Sequence, residues 1–186
     1  MRQNPERRTA LTDAAITVLA REGARGLTYR AVDVEADVPP GTTSNYFRNR
    51  DQLLGEVGVR VHERLSAPAD VMAESPSHDR VGVLLGELMG RLTAHREPYL
   101  ALLELRLEAT RRPDLSAELT KTIREGIDMS VDWHIAAGMP GGRPEVLLMY
   151  LALTGLTVER LTLPEVLADV TDKEIIRIIV DRVLPS

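Results

Sequence analysis

The sequence predicts an all-α fold of about nine helices. Three observations carry that reading: apolar residues recur at helical spacing along most of the chain, helix-start and helix-stop residues bracket those runs, and no segment alternates apolar and polar residues as a half-buried strand does. The 186 residues are 44% hydrophobic but only 3% aromatic, so the core must be built from Leu, Val, Ile and Ala. That length suits one generous domain or two small ones.

Asn4-Pro5 supplies a cap followed by a proline at the first helical position, and Leu11, Ala14, Ala15, Val18 and Leu19 repeat at i, i+3, i+4, i+7 and i+8. This first helix closes near Gly23 and Gly26. Thr28 caps a short second helix carrying Val32 and Ala36. Pro39-Pro40 ends it and can start a third, because proline suits a first turn and disfavours helix in the residue before it. Asn49 with Gln52 three residues on fits a capping box and opens a fourth helix through Leu54, Val57, Val61 and Leu65.

Residues 66–78, SAPADVMAESPSH, read as a linker or long loop. Helices are expected over 79–96 and 98–111, separated by Pro98, and from Pro113 to about Ala137. The stretch GMPGGRP, 138–144, is a break. Residues 145–161, EVLLMYLALTGLTVERL, are apolar nearly all round and predict a helix buried on every side. Thr171 and Glu174 form a second capping box before a final helix with Ile176, Ile179, Val180 and Val183 on one face.

Charge and composition exclude several functions. The chain has no Cys, which removes disulfide scaffolds, thiolate metal sites and cysteine nucleophiles together. No secretory signal or bilayer-spanning run is visible, so a cytoplasmic protein with no membrane partner is expected. The net charge of -5 is unevenly distributed: residues 1–50 carry eight Arg against six acids, and the remainder is net acidic. Only the front end suits a polyanion. The four His, at 62, 78, 95 and 134, lack the helical zinc-site pairing, and neither a Gly-x-Ser-x-Gly elbow nor a Walker-type loop occurs. No enzyme, cofactor or metal site is expected.

Three short helices, with the second and third only a few residues apart, outline a helix-turn-helix whose later helix enters the DNA major groove. In the third helix Thr43 and Phe47 share one face, while Thr42, Ser44, Asn45 and Tyr46 spread around the remainder. Those side chains donate and accept hydrogen bonds, and none brings a carboxylate to a phosphate backbone. Arg48 and Arg50 follow, with phosphate contacts as their expected role. Phe47, the only Phe in the chain, is expected to be a packing peg.

The segment LTYRAVDVEADVPPGTTSNYFRNRDQLL resembles the DNA-binding segment of the TetR family of transcriptional regulators. Leu27, Thr28 and Arg30 match the start of that family's second helix, Ala36 and Val38 its end and turn, Gly41-Thr42 the opening of its recognition helix, Tyr46-Phe47 its close, and Leu53-Leu54 its fourth helix. The resemblance implies a DNA-binding set of Thr28, Arg30, Pro40, Gly41, Thr42, Ser44, Asn45, Tyr46, Arg48 and Arg50. The family usually has Ala at Asp33, Gly at Asp37, Ser-Lys at Pro39-Pro40, a larger aliphatic residue at Thr43 and Tyr at Ser44. Asp33 is expected to be a surface acid, with orientation of Arg30 or of a recognition-helix amide as the alternative.

The resemblance further implies an N-terminal helix-turn-helix DNA-binding domain at 1–48 and a larger helical effector-binding and dimerisation domain at 49–186, joined by the helix starting near 50. A double-stranded, palindromic operator and an unknown small-molecule effector are the implied partners, with a homodimer formed through helices near 145–161 and 172–184. Repression relieved by the effector is the implied mechanism. Tyr99, Leu102, Leu103, Arg106 and Leu107 share a helical face, and Met129 and Trp133 lie four apart. A pocket on Tyr99, Leu103, Arg106, Met129 and Trp133 would suit an apolar effector with a carboxylate or other acceptor. The alternative is an ordinary core with a snorkelling Arg. The competing reading of the whole chain is an all-α ligand-binding or enzymatic bundle whose helix-turn-helix serves only packing.

Overall fold

A computed structural model describes residues 4–65 and 78–184. Among these the chain forms nine α-helices, one 3-10 turn and no strand, as expected for an all-α protein. We number them α1 (Pro5–Gly26), α2 (Tyr29–Glu35), α3 (Thr42–Tyr46), α4 (Arg50–Leu65), α5 (His78–Ala94), α6 (Arg96–Ala109), α7 (Pro113–Ala136), α8 (Arg143–Thr162) and α9 (Asp172–Val183), with the 3-10 turn at Pro164–Leu167. The expected linker lies outside the described residues except for His78, which opens α5.

The capping residues act largely as their chemistry predicts. Asn4 Oδ1 accepts from the amides of Glu6 at 2.9 Å and Arg7 at 3.4 Å, and Thr28 Oγ1 accepts from Ala31 N at 3.1 Å. Within α1, Gly23 takes φ 68° and interrupts the helix, and the carboxylate of Glu104 on α6 accepts from the next amide, Ala24 N, at 3.1 Å. Two boundaries differ from expectation. Both prolines of the Pro39-Pro40 pair lie in the turn, and α3 starts only at Thr42. The break between α5 and α6 falls at His95, with Pro98 inside the first turn of α6, where its missing N–H costs nothing. Asn49 accepts from Gln52 N at 2.9 Å, but the Gln52 side chain reaches one residue further back and accepts from Arg48 N at 2.9 Å.

The chain divides into two compact units, Met1–Ser66 with Glu97–Thr122, and Ala67–Arg96 with Ile123–Ser186. This division differs from the 48/49 boundary read from the sequence, for a packing reason. Leu53, Leu54, Val57 and Val61 of α4 are fully buried in one core with Leu11, Ala15, Val18 and Leu19 of α1. That core also takes in Ala101 and Leu105 of α6 and Leu115 and Leu119 of α7. Each such Leu or Val contributes about 1.5–3 kcal/mol relative to exposure, so α4 cannot leave this core without exposing its whole apolar stripe. Arg60 of α4 adds a bidentate pair with Asp13 of α1, at 2.9 and 3.1 Å.

In the second unit, Val81 and Met89 of α5, Val131 of α7, four apolar residues of α8 and Ile176 and Val180 of α9 form the core. Within the described chain α8 is not buried on every side. Val146, Met149, Leu153 and Leu156 face inward, whereas Leu148 and Leu151 are 54% and 61% exposed. Thr171 and Glu174 make the expected reciprocal capping box at α9, and the hydrogen bond from the Thr171 hydroxyl holds the Glu174 carboxyl below its usual range. Arg160 fastens the α8–α9 connection: it reaches Asp172 Oδ1 at 2.6 Å, the Leu167 carbonyl at 2.8 Å and the Val170 carbonyl. His134 is buried, with Nε2 3.0 Å from the Pro140 carbonyl oxygen.

Candidate nucleic-acid interface

A five-residue helix has no stability of its own, because nucleation fixes three residues for one hydrogen bond. What holds α3 in place is therefore the central structural question. At its N-terminus Gly41 occupies the left-handed region, φ 89°, and contributes no side-chain cap. The cap comes from α2. Asp33, 3% exposed, accepts from Gly41 N at 2.7 Å, Thr43 N at 2.7 Å and Thr43 Oγ1 at 2.6 Å. The surface-acid expectation for Asp33 is thus corrected in favour of its alternative, with the amides of α3 as partners. A carboxylate accepting three short bonds at a helix N-terminus satisfies itself, two orphan amides and a buried hydroxyl together.

At the other end of α3 the chain turns extended at Phe47, whose side chain is 0% exposed. Three groups hold it there. The Tyr29 hydroxyl donates to the Phe47 carbonyl at 3.0 Å, and burial pushes that phenol's pKa up, keeping it a neutral donor. Arg8 donates to the Tyr46 carbonyl at 2.9 Å, places its guanidinium 4.8 Å from the Phe47 ring centroid and pairs with Glu56, Nε to Oε2 2.6 Å. The bond to Glu56 raises the Arg8 pKa, so the cation persists. The packing role expected of Phe47 agrees with this environment.

The expected DNA-binding residues divide by environment. Thr28, Arg30, Pro40, Gly41, Ser44, Asn45 and Arg48 are exposed. Thr42 and Tyr46 are half-buried, and Tyr46 packs against the core. Two hydroxyl protons are already used: Thr42 donates to the Pro39 carbonyl at 2.6 Å and Ser44 to the Gly41 carbonyl at 2.7 Å. Their oxygens remain acceptors. Arg50 has a partner inside the protein, the Ala24 carbonyl at the end of α1, while its Nε is buried with no partner among the described residues. This geometry gives Arg50 a structural bond that the phosphate-contact expectation did not include.

Asp37, in the turn between α2 and α3, is the one described non-glycine residue with positive φ, at 51°. That conformation costs an L-residue roughly 1–2 kcal/mol, partly offset in a glycine variant by the greater freedom of its unfolded chain. Asp37→Gly should therefore stabilise the protein by about 0.5–1 kcal/mol. A urea midpoint that fails to rise would show that the Asp37 side chain compensates for its own backbone.

Residues 11–57 match the family described as bacterial regulatory proteins, tetR family, and residues 76–186 match the tetracyclin repressor-like C-terminal domain. The chain belongs to the TetR family. Among curated TetR-family relatives, it is 32% identical over 85 residues to the HTH-type transcriptional repressor KstR of Mycolicibacterium smegmatis, covering 45% of this chain and 42% of that one. The Mycobacterium tuberculosis KstR is 27% identical over 142 residues, 75% of this chain and 61% of that one. The chain spans between about two fifths and three fifths of the length of these curated relatives. Two solved structures cover nearly all of it. The multidrug binding protein EbrR, complexed with ethidium, has TM-score 0.70 and 28% identity, covering 98% of this chain and 100% of that one. A TetR-family member from Streptomyces coelicolor A3 has TM-score 0.71 and 28% identity over 98% of this chain and 100% of the other.

Tyr99, Leu103 and Arg106 belong to the first compact unit, and Met129 and Trp133 to the second. On α6 the buried residues are Pro98, Tyr99, Ala101 and Leu105, whereas Arg106 and Leu107 are exposed. Met129 is also exposed, whereas Tyr99 is buried and Leu103 and Trp133 are half-buried. In the second unit an open groove between α5 and α9 is lined by another set, including Gly82, Val83, Lys173, Arg177 and Asp181. No described group of His and acids is arranged to hold a metal ion, and no described helix is long and apolar enough to cross a membrane.

Proposed function

We propose that this TetR-family chain is a dimeric transcriptional repressor that reads a palindromic DNA operator with α3 and leaves it when a small molecule binds. The observation that carries this reading is the division of α3 into a buried, internally bonded side, Thr43 and Phe47, and an exposed polar side, Ser44 and Asn45, followed by exposed Arg48. A surface helix bonded so firmly at both ends yet presenting uncharged hydrogen-bonding groups and a cation suits base edges flanked by phosphates. Thr28 and Arg30 extend the contact from α2. Pro40, Gly41, Thr42 and Tyr46 shape or border the same surface. Arg50 contributes mainly by fixing the end of α1.

Dimerisation is proposed through α8 and α9. Leu148 and Leu151 are exposed on one side of α8, and Ile178 is exposed on α9. A second copy covering these residues would also supply the two-fold symmetry that a palindromic site requires, with half-site centres about 34 Å apart or a multiple of that. The effector is proposed to be a small organic molecule, in line with the ethidium complex of the similar EbrR. For release, it must bind the DNA-incompetent arrangement more tightly than the competent one.

Selection of duplexes from a randomised library, followed by mobility shifts across a salt series, tests the reading. A palindromic consensus is expected. Failure to enrich any sequence would remove the repressor reading. Within that experiment Arg48→Ala should weaken all duplexes alike and reduce the salt slope by about one, whereas Asn45→Ala should cost about 1–3 kcal/mol on the consensus and relax preference at one position. Equal losses for Asn45→Ala on consensus and random duplexes would argue against base readout there.

A further inference from the structure

The buried carboxylate of Asp33 does more than satisfy its neighbours. We propose that Asp33 is a positioning residue for DNA recognition: it sets the pose of α3, and sequence discrimination depends on it. This inference rests on the proposed DNA-reading function of α3.

The recognition helix is short. Five residues rise only about 7.5 Å, so α3 has too little length for its own packing to fix both tilt and rotation. Its C-terminal end is anchored through Phe47, by the Tyr29 hydroxyl and by Arg8 at Tyr46. Its N-terminal end has no side chain of its own capping it. There Asp33 alone supplies three bonds, and they come from two different directions: the Gly41 amide before the helix and the Thr43 amide and hydroxyl within it. Two amides and a hydroxyl converging on one carboxylate fix rotation as well as position. The carboxylate itself is carried by α2, beside the fully buried Val32. Its frame is therefore the core of the first unit.

A second consequence concerns phosphates. Helix N-termini commonly offer free amides to an anion. Here the amides of Gly41 and Thr43 face Asp33, and that of Thr42 donates to the Pro39 carbonyl at 3.1 Å. These three amides are thus engaged internally, and phosphate contacts fall more to side chains such as Arg48 and Arg30. Asp33 contributes rigidity at the cost of backbone anchoring, so its loss should affect discrimination more than general DNA affinity.

The test uses the full chain and the duplex consensus enriched from a randomised library, with a scrambled duplex as reference, at a temperature where each variant is shown folded by circular dichroism. Asp33→Asn keeps the shape but turns one acceptor into a donor facing the Gly41 or Thr43 amide. Thr43→Val keeps the volume and removes the hydroxyl bond, and it decides the matter if Asp33→Asn does not fold. Asp37→Asn removes a charge from the adjacent exposed turn and controls for simple electrostatics. The expected result is a ratio of consensus to scrambled affinity reduced by roughly tenfold or more in Asp33→Asn, on the scale of one lost base contact, and by less in Thr43→Val, with Asp37→Asn near wild type. An unchanged ratio in folded Asp33→Asn, or in Thr43→Val if only that variant folds, overturns the positioning role. So does an equal change on both duplexes shared by Asp37→Asn, which would reduce Asp33 to charge. If the wild-type chain itself shows no preferred sequence, the DNA-reading function fails and the positioning role falls with it, an outcome recognisable before any variant is made.

Discussion

Phe47→Ala should destabilise the first compact unit by about 3–5 kcal/mol, a large share of the 5–15 kcal/mol that typically separates folded from unfolded domains. The ring is completely buried at the point where α3 ends, and the protein has no other Phe to repack into the space. Truncation removes transfer free energy and leaves a cavity under the Arg8 guanidinium, 4.8 Å from the ring centroid. It also loosens the bonds from Tyr29 and Arg8 to the carbonyls at the end of α3, because both depend on where the Phe47 backbone lies. Urea unfolding followed by circular dichroism reads the effect, and DNA binding should fail before global unfolding. A midpoint close to wild type would refute the packing role.

The contrast between Phe47 and Asp33 shows what the sequence discloses and what it conceals. A lone large apolar side chain in an otherwise polar segment announces its burial by its chemistry alone. Caps are equally readable, since Asn4, Thr28 and Thr171 bond amides two or three residues away. Asp33 acts over eight and ten residues, across a turn, and its partners depend on how α2 meets α3. A signal was nevertheless present. Thr43 shares the buried face with Phe47, and Asp33 sits beside buried Val32, so two polar residues at inward positions required each other as partners. Arg106 illustrates a different limit. Arg106 is exposed although Tyr99, on the same expected face, is buried, and periodicity over four turns does not resolve where that face meets the core. For α8, an apolar residue covered by its own chain and one awaiting a second chain follow the same pattern, so only the fold separates Leu153 from Leu151.

That separation leads to the second large expected effect. Leu148→Glu with Leu151→Glu should convert the proposed dimer to a monomer while leaving each chain folded. Both side chains are more than half exposed in the single chain, so the substitutions remove little from the core formed by Val146, Met149 and Leu153. In a dimer built on α8, the same positions would bring carboxylates into an apolar seam with no counterion. An uncompensated buried charge costs several kcal/mol, and symmetry doubles it. Sedimentation equilibrium should therefore show wild-type chain at twice the monomer mass and the variant at the monomer mass over the same concentrations. Operator affinity should fall by about 10²–10⁴, because two recognition helices no longer share one complex and the second half-site loses its effective concentration. Random-duplex binding, which depends on each headpiece separately, should fall much less. A variant that stays dimeric would place the interface elsewhere, and a monomeric variant with undiminished operator affinity would show that one copy of α3 suffices.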